Sequence, residues 1–250
     1  MFEFTDDFNG NIGSWTTSAV TNLQAAFQQA RAFNQDLDWD VSRVINMAAT
    51  FAGASAFTGN IASWDVSSVK TMRFAFDGAE VFNSDISSYT VSSVTDLNNC
   101  FRNAKLFNAD IGLWDTSSVR IMHGVFNGAT SFNRDLNWQV SKVTNMNSMF
   151  KDATSFNGIL RDFDTSSLVL MQETFSGASA FEQEINLWNT SSVTTLHYCF
   201  NGATVFNSDI SGWDTASERV HLREMSANGK YPRLQRCITS SPVPRSLTQT

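Results

Sequence analysis

The sequence predicts an α/β solenoid, a right-handed coil of 24- to 25-residue repeats with one short strand and one short helix in each and a narrow parallel sheet along one side. Three observations lead there. Phenylalanines recur at Phe8, Phe33, Phe57, Phe82, Phe107, Phe132, Phe156, Phe181 and Phe206, with gaps of 25, 24, 25, 25, 25, 24, 25 and 25 residues. Each repeat then carries an aromatic residue two positions before a Thr or Val, and after that an apolar series spaced by three, four and three. A 24- to 25-residue unit is too short for an ordinary βαβ crossover of about 30 residues or more, which leaves coiling.

The opening Phe is followed four residues later by Ile or Leu, from Ile12 and Leu37 through Ile185 and Ile210. Next comes Trp15, Trp39, Trp64, Tyr89, Trp114, Trp138, Phe163, Trp188 or Trp213. An aromatic and a β-branched residue two apart share one side of an extended chain, so Trp64 to Val66 and its counterparts read as the strand. Both one-residue deletions fall between the aliphatic and the aromatic, in a stretch that reads as a turn. A polar pair, mostly Ser-Ser, leads into the series exemplified by Val119, Met122, Phe126 and Ala129. That spacing suits one face of a helix, with Ser as its opener and with Gly53, Gly78, Gly128, Gly177 and Gly202 placed to close it.

Residues 1–216 are assigned to this array, eight full repeats with partial repeats at both ends, and residues 217–250 to a basic, proline-containing tail expected to be disordered. The net charge of −7 divides unevenly: residues 1–217 hold 22 acidic and 11 basic side chains, residues 218–250 hold 2 and 6. An array of that sign argues against nucleic acid as a partner. No apolar run approaches the roughly 18 residues of a spanning helix. Met1 and Phe2 precede Phe8 as Phe27 precedes Phe33, so the expectation is a piece of a longer array; no signal peptide is visible. Cys100 and Cys199 occupy the same slot four repeats apart, beyond disulfide reach.

The pattern I..W.V.SSV..M...F..A, together with FN.DI at the start of each unit, resembles the leucine-rich repeats of BspA-type bacterial surface proteins, above all the branch found in mycoplasma-like lipoproteins. The departures are Tyr89 and Phe163 for Trp, Thr58 and Glu182 for Asn, and Ile159 in a column of Asp, Asn and Glu. The resemblance implies a leucine-rich-repeat-like fold, secretion or surface anchoring, and a role in adhesion or ligand binding. It implies no active site.

Two polar ladders are candidates for function. The residue between the aromatic and the Thr/Val includes Asp40, Asp65, Asp115, Gln139, Asp164, Asn189 and Asp214, which stacked strands would align into an acid-rich face. It reads either as a binding surface or as a solvated face that keeps a sheet from aggregating. The second ladder, Asn9, Asn34, Asn83, Asn108, Asn133, Asn157 and Asn207, reads as structural, each amide bonding backbone in its own or the next coil. Asp36, Asp85, Asp110 and their counterparts lack the glycine-rich nonapeptide of calcium-binding β-rolls, so no metal or other cofactor is assigned. His123, His197 and His221 share no motif, and no catalytic residue is assigned. The expectation is a non-enzymatic module for a protein or glycan ligand, or else a structural spacer in a longer repeat protein, with end-to-end self-association through uncapped coils.

Overall fold

An Asp or Asn two residues ahead of a free N–H offers the backbone a local partner and so competes with regular structure. In the computed structural model, which describes residues 1–213, turns win that competition throughout. The coil from Phe57 to Phe82 shows the scheme. Bonds from residue i to i−3 close turns at Trp64 N–H to Ile61 O (3.1 Å), Val69 to Val66 (2.9 Å), Ala75 to Met72 (3.0 Å), Asp77 to Phe74 (3.2 Å), Ala79 to Phe76 (3.1 Å) and Phe82 to Ala79 (3.1 Å). The intervening N–H groups reach the next coil: Met72 to Asp96 O (3.1 Å), Phe74 to Asn98 O (2.8 Å), Phe76 to Cys100 O (2.8 Å) and Gly78 to Arg102 O (2.6 Å). Arg73 N–H is taken by Thr71 Oγ1 at 3.3 Å. From residue 72 to residue 79 every amide is therefore satisfied, alternately by its neighbour and by its own coil.

This corrects the expected α/β architecture. Among the described residues there is no helix, and parallel pairing is confined to a column of isolated bridges running Asn22, Asn46, Thr71, Asp96, Ile121, Asn145, Leu170 and Thr195. The column passes through the segment expected to be helical. The leucine-rich-repeat-like coil with a strand and a helix in each unit is thereby overturned, because a right-handed helix cannot run through residues of positive φ. Each coil has two of these, four residues apart: Ala25 and Gln29, Ala49 and Gly53, Phe74 and Gly78, Asn99 and Asn103, Gly124 and Gly128, Ser148 and Asp152, Glu173 and Gly177, Tyr198 and Gly202. The glycines expected to close helices sit at the second of these positions, Gly78 at φ +69°, inside the stack of turns.

The expected strand is likewise absent. No backbone bond joins Trp39, Asp40 and Val41 or their counterparts to a neighbouring strand among the described residues. Instead Thr17, Thr116 and Thr165 donate their hydroxyls to the carbonyls of Asp40, Gln139 and Asn189, each at 3.0 Å. The Ser-Ser pair lies within the turn closed by Val69 N–H and Val66 O rather than opening a helix.

Burial of the repeated aromatics supplies the cohesion that regular secondary structure does not. Phe27, Phe51, Phe76 and Phe101 form one stack at centroid distances of 5.2, 5.5 and 5.5 Å. Phe33, Phe57, Phe82 and Phe107 form a second at 5.8, 5.9 and 6.0 Å. The two stacks touch within each coil, as at Phe51 and Phe57 (4.1 Å, 9°). All eight rings are fully buried, each contributing about 1.5–3 kcal/mol relative to exposure.

The third column is tryptophan, and it bonds as well as packs. The indole N–H of Trp39, Trp64 and Trp138 donates at 2.9 Å to the carbonyls of Ile12, Leu37 and Ile111 one coil back. Trp114, Trp188 and Trp213 do the same to Ile86, Leu160 and Ile185 at 3.1, 3.1 and 3.2 Å. Tyr89 preserves the bond with its hydroxyl, 3.0 Å from Ile61 O. In full-length coils the same carbonyl also accepts the turn bond from its own aromatic residue, as at Ile86 from Tyr89 N–H at 3.2 Å. The two short units lose that turn bond with the deleted residue, and Leu37 O keeps the indole alone.

Candidate binding face

The acid-rich residues stand on the outer side of the tryptophan column, and Asp40, Asp65, Asp115, Gln139, Asp164 and Asn189 are all exposed. Asp214 lies outside the described residues. What orients each carboxylate is the serine two positions on. Asp40 Oδ1 accepts from Ser42 N–H (3.0 Å) and Ser42 Oγ (2.7 Å), and Asp65, Asp115 and Asp164 accept the N–H of Ser67 (3.0 Å), Ser117 (3.0 Å) and Ser166 (3.1 Å). Asn189 does the same with Ser191, at 3.0 and 2.7 Å. Gln139 departs from this pattern: its Oε1 accepts Thr116 N–H (3.2 Å) and its Nε2 donates to Asn137 O (3.0 Å).

These bonds favour the ionised form. The serine hydroxyl first, then the serine N–H, lowers the pKa of Asp40, Asp65, Asp115 and Asp164 below the ordinary carboxylate value. Desolvation opposes this in all four, and the charge of Asp40 opposes it further at Asp65. One oxygen of each carboxylate is thus committed to the fold. The second accepts no hydrogen bond among the described residues, all four residues are exposed, and at Asp115 the charge of Lys142 favours the ionised form as well.

The asparagine row links coil to coil. Asn9 Oδ1 accepts Asn34 N–H (2.9 Å), Asn34 accepts Thr58 (2.7 Å), Asn83 accepts Asn108 (2.8 Å), Asn108 accepts Asn133 (3.0 Å), Asn133 accepts Asn157 (2.8 Å) and Asn157 accepts Glu182 (3.0 Å). Asn207, the last of the row, is exposed. The sequence reading missed a second amide row at the bridges. Asn22, Asn46, Asp96 and Asn145 accept the N–H two residues on at 2.8–2.9 Å. Its signal was a polar residue recurring two positions after the Val.

No catalytic constellation forms among these groups. His123 and His197 hold one column three coils apart. Among the described residues no three His, Cys, Asp or Glu side chains converge where an ion could sit, and no helix is long and apolar enough to cross a membrane.

A chain of stacked near-identical coils, with one outward polar rung per coil, is a repeat protein whose long faces are its principal surfaces. It belongs to the family described as "Mycoplasma protein of unknown function, DUF285", whose model matches residues 1–89, 37–137, 72–168 and 136–231. The matches overlap and step along the chain, as a model several repeats long does on an array of shorter period. No curated protein matches.

Proposed function

We propose that this chain is a non-enzymatic binding module that takes a protein or glycan partner along the row of Asp40, Asp65, Asp115 and Asp164. The observation that carries the reading is the geometry of the row. Each carboxylate is pinned by its serine, held ionised, and left with one oxygen toward solvent, so it is pre-organised to accept a partner's N–H or O–H at little entropic cost. The resemblance to BspA-type surface proteins supports display outside the cell and an adhesion-like role. A regular ladder offers no cleft where titratable groups converge, which supports binding over catalysis.

A second reading has its own support: the oxygen that meets Ser67 or Ser117 does a structural task, so the row also suits a spacer that binds nothing. Charge removal separates the two. Asn189 shows that Asn keeps the serine bond, so Asp65→Asn with Asp115→Asn removes charge while sparing the turn. Binding to a glycan array and to an immobilised panel of surface proteins is expected to fall about tenfold or more, with a cooperative unfolding transition retained at a slightly lower temperature. A wild-type chain that retains no ligand, or a double variant that binds equally well, overturns the proposal in favour of the spacer.

A further inference from the structure

The tryptophan column is in ring contact from Trp114 to Trp138 and again from Phe163 to Trp188, but not between Trp138 and Phe163. At that gap a hollow of about 360 Å³ opens to solvent, walled by Trp138, Val140 and Phe163 and edged by Gln139, Asp162 and Asp164. Two irregularities of the sequence coincide there. Phe163 replaces the Trp whose indole would donate to Leu136 O, and the unit of Leu136 is one of the two short ones, which lack the turn bond to the same carbonyl. Its counterparts Ile61, Ile86 and Ile111 each accept two hydrogen bonds and Leu37 accepts one. Among the described residues nothing donates to Leu136 O, although Leu136 is only 3 % exposed. A carbonyl with no protein donor beside an open hollow is left to water, and a ligand that brings an N–H to it replaces that water bond.

We infer that this hollow binds a planar or alkyl cation bearing N–H donors, as an arginine or lysine side chain carries, with one N–H donating to Leu136 O. Trp138 and Phe163, 3 % and 5 % exposed, give the hollow a small apolar floor against which the end of an alkyl stem rests. Asp162 and Asp164 at the rim select a positive charge over a neutral donor. Arg161 meets Asp162 at 3.6 Å, but both side chains are largely exposed and the pair is weak competition. Leu113 and Leu187, 86 % and 67 % exposed, hold the column of Asn137 and Asp162 one coil to either side, where the residues flanking a basic side chain in a peptide would lie. The site shares Asp164 with the row proposed above but makes no use of Asp65 or Asp115, so the Asp65→Asn, Asp115→Asn chain keeps it and tells the two proposals apart.

The test is titration of the full chain with N-acetylarginine amide, its neutral isostere N-acetylcitrulline amide, and agmatine, followed by the indole N–H resonance of Trp138 and the side-chain amide of Gln139. The arginine compound is expected to shift both and to bind about tenfold more tightly than the citrulline one. Agmatine binding as tightly as the arginine compound assigns the site to free small cations; weaker agmatine binding assigns it to a protein side chain. Phe163→Trp fills the hollow and supplies the missing indole donor, so it should abolish the shifts at Gln139 while raising the unfolding temperature. Asp162→Asn should weaken binding about threefold at unchanged stability. Equal binding by wild type and Phe163→Trp, equal binding of the two isosteres, or no shift with 50 mM of any of them, sinks the inference.

Discussion

Replacing Trp64 by Phe should cost more than replacing Trp114 by Phe, although the two side chains occupy equivalent places in the column. Both substitutions replace a bicyclic indole by a single six-membered ring, leaving a void on the order of 40 Å³ and costing about 1 kcal/mol at 24 cal/mol per Å³. Both remove one N–H···O bond, worth about 1 kcal/mol net. The carbonyls left behind differ. Ile86 O keeps Tyr89 N–H at 3.2 Å after Trp114→Phe, whereas Leu37 O, in a short unit, loses the only donor it has. An orphaned buried carbonyl adds about 1–2 kcal/mol, so the expected losses are about 2 kcal/mol for Trp114→Phe and about 3–4 kcal/mol for Trp64→Phe. Equilibrium unfolding in urea, followed by tryptophan fluorescence, measures both. Losses equal within about 0.5 kcal/mol would refute the accounting of donors along this column.

Cys100 and Cys199 are fully buried, with burial pushing the Cys199 thiol up to about 12 and Cys100 in the same direction, so Ellman's reagent should modify neither in a folded Cys237→Ser chain and both once urea unfolds it. The serine-bound Asp40, Asp65, Asp115 and Asp164 bind protons more weakly folded than unfolded; their contribution is present above the ordinary carboxylate pKa and is lost as pH falls through the lowered folded values. Urea midpoints measured from pH 6 to pH 2 should therefore fall, with a shallower fall in the Asp65→Asn, Asp115→Asn chain. Trp15 in the first coil is 44 % exposed where Trp39, Trp64 and Trp114 are 2–3 % exposed, so the 250-residue chain should associate through that end face. Sedimentation velocity over a hundredfold concentration range should show a rising weight-average mass, reduced by Trp15→Lys.

The sequence carried the columns of the core and not the backbone that bears them. Phe33 follows Phe8, and Trp39 follows Trp15, because a side chain that stacks on its own kind must recur with the coil. The spacing of Val44, Met47, Phe51 and Ala54 was ambiguous, since chained turns with left-handed residues at Ala49 and Gly53 return side chains to the core at the same intervals as a helix. Gly53, Gly78, Gly128, Gly177 and Gly202 were visible as a column, but only the first left-handed column, at Ala25, Ala49, Phe74, Asn99 and Ser148, distinguishes turns from a helix end, and it has no residue preference to read. The same holds for the aspartates. Asp65 and Asp115 could be placed as one outward row from their period, whereas the serine bonds that tie down one oxygen of each depend on a turn that periodicity does not reveal. The hollow at Phe163 needed both irregularities together, a lost residue and a lost indole, and only their meeting at Leu136 O makes a site of them.

The most direct measurement of the turn-built coil is the stability of Ala49→Gly. Ala49 has φ +54°, so glycine relieves left-handed strain of about 1–2 kcal/mol against a smaller entropic cost, and the unfolding free energy should rise by about 0.5–1 kcal/mol. A fall of about 1 kcal/mol, which is what glycine causes inside a helix, would contradict the fold on which both proposed surfaces rest.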